Sequence, residues 1–386
     1  MIKIKIKKKN IVNGIGISCA FLNSYSILYH FALFKSIYIA SIVLAFSYIV
    51  YEFSLKIRYK DLLFLLILIL SCIYTSAYTT INKILLLAVP IYALYLASDR
   101  IKDTFWDLFK FIIMAFLISY FVFLLGKIIP LPKYEFFHDD SRVYYCDIML
   151  SCLESNNDWR FSFVFDEPGT LAGLISIMIS ILWNIMPNIY RYILIFLGFT
   201  TFSLFFLVYT IVFLLLNILS KSSLKYFLFV FLFFIIVYFN VKELVKVIDV
   251  DLITYFFEKR FIYNEYGVIV GIIDNRTDTD FISFYNNIDF LDKLFGIREL
   301  IFNVYFNWTG LSYRNYILEV GYFSFFSLSL FYVYYVYINN GIKLSILMLV
   351  FLILYFYQRP LFFRPEMMGL SFLMISTLKN YRDNDA

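Results

Sequence analysis

The residues best suited to chemistry lie in Trp159–Gly173, WRFSFVFDEPGTLAG, where a polar stretch runs into an apolar one. Pro168 suits the first position of a helix, and the acids Asp166 and Glu167 stand just before it. Two readings fit this pair. Carboxylates at a helix start are stabilised by the helix dipole, so they can be an ordinary cap. A carboxylate beside Arg160 can also serve an attacking hydroxyl while the cation and the helix start hold an anionic leaving group.

Further arginines stand in the same hydrophilic stretch (Arg142) and in a second one (Arg260, Arg276, Arg298, Arg314). Guanidinium forks bind the oxygens of an anion in pairs, so such a set suits an anionic leaving group. Arg160, Arg276 and Arg314 are the strongest candidates, with Arg142, Arg298 and Asn315 as substrate-binding residues. Arg260 sits in the cluster Glu258, Lys259, Arg260 and reads as surface charge, and Arg298 can simply pair with Glu299. The Cys and His spacing matches no zinc pattern and the carboxylates are not clustered. No metal and no other cofactor is expected.

The elements that must position these residues are membrane helices. The chain has 386 residues, 62% of them hydrophobic and only 16% charged, against roughly 25% charged in a soluble domain. Phe (47) and Tyr (34) rise together with Ile, Lys and Asn, as in an AT-rich gene, so the aromatics alone do not signify a sugar-stacking platform. The net charge of +5 is scattered through short loops, which argues against nucleic acid as a partner. No small-residue cleavage site follows the first apolar run, so a retained anchor is expected there.

Runs of about 20 apolar residues mark membrane spans. They fall at 11–29, 36–52, 62–80, 83–98, 105–129, 168–186, 191–219, 224–240, 312–338, 343–358 and 361–378. The run 191–219 is too long for one span and holds Gly198, Thr200, Thr201 and Ser203 near its middle, so two short helices with a turn are expected. Short-loop Lys and Arg mark the cytoplasmic side. With twelve spans, the groups Lys3–Lys9, Lys56–Lys60, Arg100 and Lys102, Arg191, Lys221 and Lys225, Lys343, and Lys379 with Arg382 all fall on one side.

This gives an all-α polytopic protein of the bacterial inner membrane. Residues 1–129 form helices 1–5, 130–167 a first periplasmic loop, 168–240 helices 6–9, 241–311 a second periplasmic loop, and 312–386 helices 10–12 with a cytoplasmic tail. Within the second loop, 241–257 is partly amphipathic and fits either the membrane surface or a packed loop helix. Cys146 and Cys152 lie in the first loop, where a disulfide is allowed but not fixed by spacing. Cys19 and Cys72 lie in apolar segments and read as core residues.

The pattern Arg160, Phe165, Glu167, Pro168, Gly169 resembles the Wzy-type O-antigen polymerases and the related O-antigen ligases, in which an Arg, an aromatic and an acid-Pro-Gly lead into a helix. Thr200–Ser203 resembles the family's Thr-x-Ser-Arg, with Leu204 where the Arg would stand. In the second loop, Arg276 is followed by an Asn- and aromatic-rich stretch and by Gly296. Ser312–Phe326 resembles the segment by which the family's chain re-enters the membrane, but Arg314 precedes Asn315 where ligases have His-Asn. That departure favours polymerase over ligase.

The resemblance covers roughly residues 155–330, and its motifs are short. It implies a GT-C-like fold and a metal-independent glycosyltransferase. A sugar hydroxyl of one undecaprenyl-diphosphate-linked unit would attack the anomeric carbon of another, and undecaprenyl diphosphate would leave. Implied partners are that lipid-linked glycan, membrane lipid and a chain-length regulator protein. A flippase would carry charges within its spans, which are nearly absent here. A membrane acyltransferase would need a His, and His138 is the only outer-loop candidate.

Overall fold

The computed structural model describes residues 32–53, 102–137, 143–148, 151–154, 161–163, 165, 168–219, 261–263, 269–272, 279–297 and 313–358, with single positions within 62–96 and 367–378. These residues are mostly helical. The helices are α1 (Ala32–Phe53), α2 (Lys102–Ile128), α3 (Pro168–Leu182), α4 (Asn188–Thr200), α5 (Leu204–Leu219), α6 (Thr279–Asn287), α7 (Phe290–Phe295), α8 (Tyr313–Asn340) and α9 (Ile342–Gln358). Among the described residues, two segments are long and apolar enough to cross a membrane: Trp106–Ile128 of α2, with 23 residues, and Gly321–Asn340 of α8, with 20. At 1.5 Å per residue, each matches or exceeds the roughly 30 Å of a bilayer core. The expected spans 11–29 and 224–240 and the stretch 241–257 lie outside the described residues.

Helix α3 is the hub. All its residues are buried, as an all-round apolar sequence requires. It packs on α4, α5 and α9. Small residues let these neighbours close in. A Cβ on Gly173 would lie 2.5 Å from the Tyr355 ring of α9. Ser176 and Ser180 donate to carbonyls one turn back, at 2.8 and 2.5 Å. Ser180 also meets the Tyr209 hydroxyl of α5. The helix starts at Pro168, as its fixed φ and missing N–H favour.

The long apolar run breaks where its small and hydroxylated residues stand. α4 ends at Thr200 and α5 begins at Leu204. Thr200 and Thr201 donate their hydroxyls to the carbonyls of Leu197 and Gly198, both at 2.7 Å, satisfying acceptors a helix end would leave open. Phe202 turns the chain in the left-handed region, at φ 46°.

The expected span 312–338 is not one helix. Gly321, at φ 82° and ψ 157°, separates Tyr313–Val320 from the apolar span. Only glycine occupies that backbone region readily, so the chain kinks there. At the other end, Gly341 (φ 82°) is the single residue between α8 and α9, which pack on each other.

The all-helical expectation also needs correction, because the described residues include two small sheets. Strands β1 (Lys133–Phe137), β2 (Val143–Asp147) and β3 (Ser151–Glu154) form an antiparallel meander. Strands β4 (Phe261–Tyr263) and β5 (Ile269–Ile272) form an antiparallel pair. Pro130 and Pro132 follow the end of α2 and cannot continue it. The β-branched and aromatic residues that follow, as in KYEFF and VYYCD, fit a pleated surface. Hydropathy windows of helix length overlook strands of three to five residues.

Candidate functional site

The segment that carries the chemical motif is anchored on three sides. Cys146 and Cys152 face each other across β2 and β3 and are joined as a disulfide. The Cys152 N–H donates to the Phe163 carbonyl at 2.7 Å, and the Ser162 hydroxyl donates to the Cys152 carbonyl at 2.6 Å. The Phe161 N–H donates to the Thr200 carbonyl at 3.3 Å. Two stretches singled out in the sequence, WRFSFVFDEPG and Thr200–Ser203, are therefore in direct contact.

Aromatic packing fixes the same segment. Phe161, Phe163 and Phe165 are all buried. Phe161 meets Tyr120 and Phe123 of α2 with centroids 5.3 and 5.8 Å apart, and Phe163 meets Phe116 at 4.9 Å. Tyr120 in turn meets Phe196 of α4 at 5.2 Å. Edge-to-face pairs of this kind add to plain burial. Buried on all sides, these rings anchor the chain and offer no sugar platform. The alternating F-x-F-x-F was the available signal in the sequence.

Three non-glycine residues among those described have positive φ: Ile148, Phe163 and Phe202. Two of them flank the Phe161–Thr200 contact. A bulky residue in that region is held against its preference by its surroundings. Strain of this kind gathers where a loop must be held in one shape.

The disulfide closes a loop of sequence separation 6. Loop-closure entropy for so short a loop is worth about 2 kcal/mol. The Cys146→Ser/Cys152→Ser protein is accordingly expected to be less stable than the parent by about 2 kcal/mol and to melt at a lower temperature. Reductant should lower the parent's melting temperature and leave the variant's unchanged, as read by thermal unfolding of purified protein.

Sequence reasoning missed Asp147. It lies on the sheet face opposite the disulfide, paired with Lys133 on β1 and Ser151 on β3. Its side chain is buried against Gly126 of α2, where a Cβ would come 2.5 Å from Oδ2. Among the described residues, neither Asp147 Oδ1 nor Ser151 Oγ has a hydrogen-bond partner. Burial pushes the Asp147 carboxyl up, against the pull of Lys133 and Lys127. A raised folded pKa means that the folded state holds its proton longer than the unfolded state. Stability from this group is full below the ordinary carboxylate range and is lost as pH rises through the folded pKa. Asp147→Asn should therefore raise the melting temperature at neutral pH, with the gain vanishing on the acid side of a pH series.

The second cluster surrounds Arg314. It is half-buried, and its guanidinium lies 5.0 Å from the Tyr313 ring. Tyr313 stacks on Tyr357 of α9 at 5.6 Å. Tyr285 of α6 shares a 2.9 Å hydrogen bond with Tyr322, and Lys293 lies 4.8 Å from the Tyr285 ring. Burial and the Tyr322 contact push the Tyr285 phenol up, while Arg314 pulls it down. Gly296, at φ 84°, ends α7, so the glycine turn expected after the aromatic-rich stretch is present.

The C-terminal end of α9 links the two clusters. Tyr355 touches Gly173 of α3, Phe356 packs on Tyr316 and Phe325, and Tyr357 stacks on Tyr313. The beginning of α3 and the beginning of α8, with Arg314, thus lie at one end of the bundle. Asn315 is on the first turn of α8. Arg160, Asp166, Glu167, Arg142, Arg276 and Arg298 lie outside the described residues, as do Arg260 and His138. Among the described residues, no group of three His, Cys, Asp or Glu comes together to hold a metal. Comparison with known proteins gives no matching family model, no matching characterised protein and no matching solved structure.

Proposed function

We propose that this chain is an oligosaccharide polymerase of the bacterial inner membrane. It joins undecaprenyl-diphosphate-linked repeat units into O-antigen or a similar surface polysaccharide at the periplasmic face. In this reading the protein has twelve spans, a GT-C-like arrangement, both ends in the cytoplasm and both long loops outside. Arg160, Arg276 and Arg314 hold the departing diphosphate without a metal, with Arg142, Arg298 and Asn315 around the substrate. Asp166 or Glu167 takes the proton of the attacking hydroxyl.

The observation that carries the reading is the docking of Phe161 on Thr200. It joins two of the sequence stretches on which the family resemblance rests, and a left-handed Phe flanks the contact on each side. A site that must hold two large lipid-linked sugars in register needs such a fixed frame, because misplacement of reacting groups is costly.

Deleting the gene and resolving surface polysaccharide on a gel tests the reading. A polymerase mutant keeps lipid core carrying one repeat unit and loses the ladder above it. An unchanged ladder overturns the proposal. Loss of even the single unit points instead to a ligase or a flippase.

A further inference from the structure

Helix α7 has two unlike faces. At 3.6 residues per turn, Phe290, Leu291, Leu294 and Phe295 share one side. Phe290, Leu291 and Phe295 are 67%, 61% and 64% exposed. The other side is turned to the protein through Lys293, which donates to the Asn286 carbonyl at 3.4 Å and lies over Tyr285. Three large apolar side chains on a six-residue helix are an unusual thing to offer to water.

The position of α7 is fixed against the start of an apolar span. The backbone of Leu294–Gly296 packs onto Gly321, where a Cβ would strike it, and the Ile297 N–H donates to the Leu318 carbonyl. Gly321 is the first residue of the 20-residue apolar segment. α7 therefore lies at the depth where that segment begins. The span itself exposes Phe323, Phe326, Leu330, Tyr334 and Tyr337, spaced three and four apart along one face. Phe295 meets Phe323 with centroids 6.2 Å apart. The exposed face of α7 thus continues the exposed stripe of the span without a polar gap.

We infer that α7 is a membrane foot: Phe290, Leu291 and Phe295 insert among the acyl chains of the leaflet that the span Gly321–Asn340 enters. Short amphipathic helices bind at this depth by apolar burial, and aromatic residues favour the interface. The foot holds the loop carrying α6 and α7 on the membrane surface. The inference does not rest on the polymerase reading. If that reading also holds, the foot keeps Arg314 near the level of a lipid-linked phosphate.

The test uses the full chain with Cys19→Ser and Cys72→Ser, leaving the Cys146–Cys152 disulfide intact, in nanodiscs of phosphatidylethanolamine and phosphatidylglycerol. Leu291→Cys, Phe295→Cys and Asp292→Cys are each labelled with the fluorophore NBD. The labels at 291 and 295 should emit to the blue of the label at 292. They should lose most emission to lipids carrying a doxyl group high on the acyl chain and little to aqueous iodide, with the reverse at 292. The Asp292→Cys protein, altered on the polar side, reports that the fold tolerates labelling. Iodide quenching at both 291 and 295 without doxyl quenching overturns the inference. So does shielding from both quenchers, which would indicate a second copy of the chain. Doxyl quenching that disappears on adding undecaprenyl phosphate would make the face a seat for a substrate tail and would equally overturn it.

Discussion

Gly321→Ala is expected to destabilise the protein by roughly 3 kcal/mol or more, the largest effect of any single methyl added to the described structure. Two independent terms add. The backbone at φ 82° and ψ 157° is strained for any residue with a Cβ. The new methyl would also strike the backbone of Leu294, Phe295 and Gly296, which cannot rotate aside as a side chain can. Gly341→Ala separates the terms, because Gly341 has the same φ of 82° but nothing within 4 Å of its Cβ position. Its cost should be about 1 kcal/mol. Heating purified protein in detergent and measuring the fraction left monodisperse gives both midpoints. Gly321→Ala should fall well below Gly341→Ala. Equal midpoints would mean that the packing of α7 on α8 contributes nothing.

On the proposed function, Arg160→Ala is expected to cut polymer formation about a hundredfold or more, the typical cost of losing one donor that stabilises transition-state charge. Phe161, the next residue along the chain, is held by its backbone on Thr200 and by its ring on Tyr120 and Phe123. Arg160→Lys keeps the charge but not the two-pronged donor, so it should restore the ladder only in part. Both variants are scored by complementing the deletion strain and comparing ladder intensity at equal protein level. A full ladder from Arg160→Ala would remove this residue from the site.

Local backbone chemistry was the part of the fold most legible in the sequence. Pro168 announces the start of α3 because its ring fixes φ and its missing N–H costs nothing there. Gly198, Thr200, Thr201 and Ser203 announce the break between α4 and α5, since a helix ends where hydroxyls can satisfy its last carbonyls. Gly296 marks the end of α7 for a different reason: at φ 84° it takes a backbone region that glycine enters without a Cβ penalty. Gly321 carried no such signal: a glycine within an apolar run reads equally well as a close-packing residue. Only the neighbouring backbone of α7 makes it a kink. The pairing of Cys146 with Cys152 was allowed by spacing and is decided by the register of β2 and β3. Asp147 was invisible because its burial depends on the sheet packing against Gly126, a contact between segments that no local pattern encodes.

The candidate site was legible as residue types more than as geometry. Arg314 stood out as an arginine suited to an anion, and the structure seats its guanidinium over the Tyr313 ring, which stacks on Tyr357. No residue pattern announces that α9 bridges the starts of α3 and α8, because that bridge is made by Tyr355, Phe356 and Tyr357 in an apolar helix with no motif.

Purified protein in proteoliposomes, supplied with only the undecaprenyl-diphosphate-linked repeat unit of its own host, gives the most direct test of the central claim. Products should grow by whole repeat units, with one undecaprenyl diphosphate released for each bond formed and no added metal required. Repeat units that remain single, or that only cross the bilayer, would contradict it.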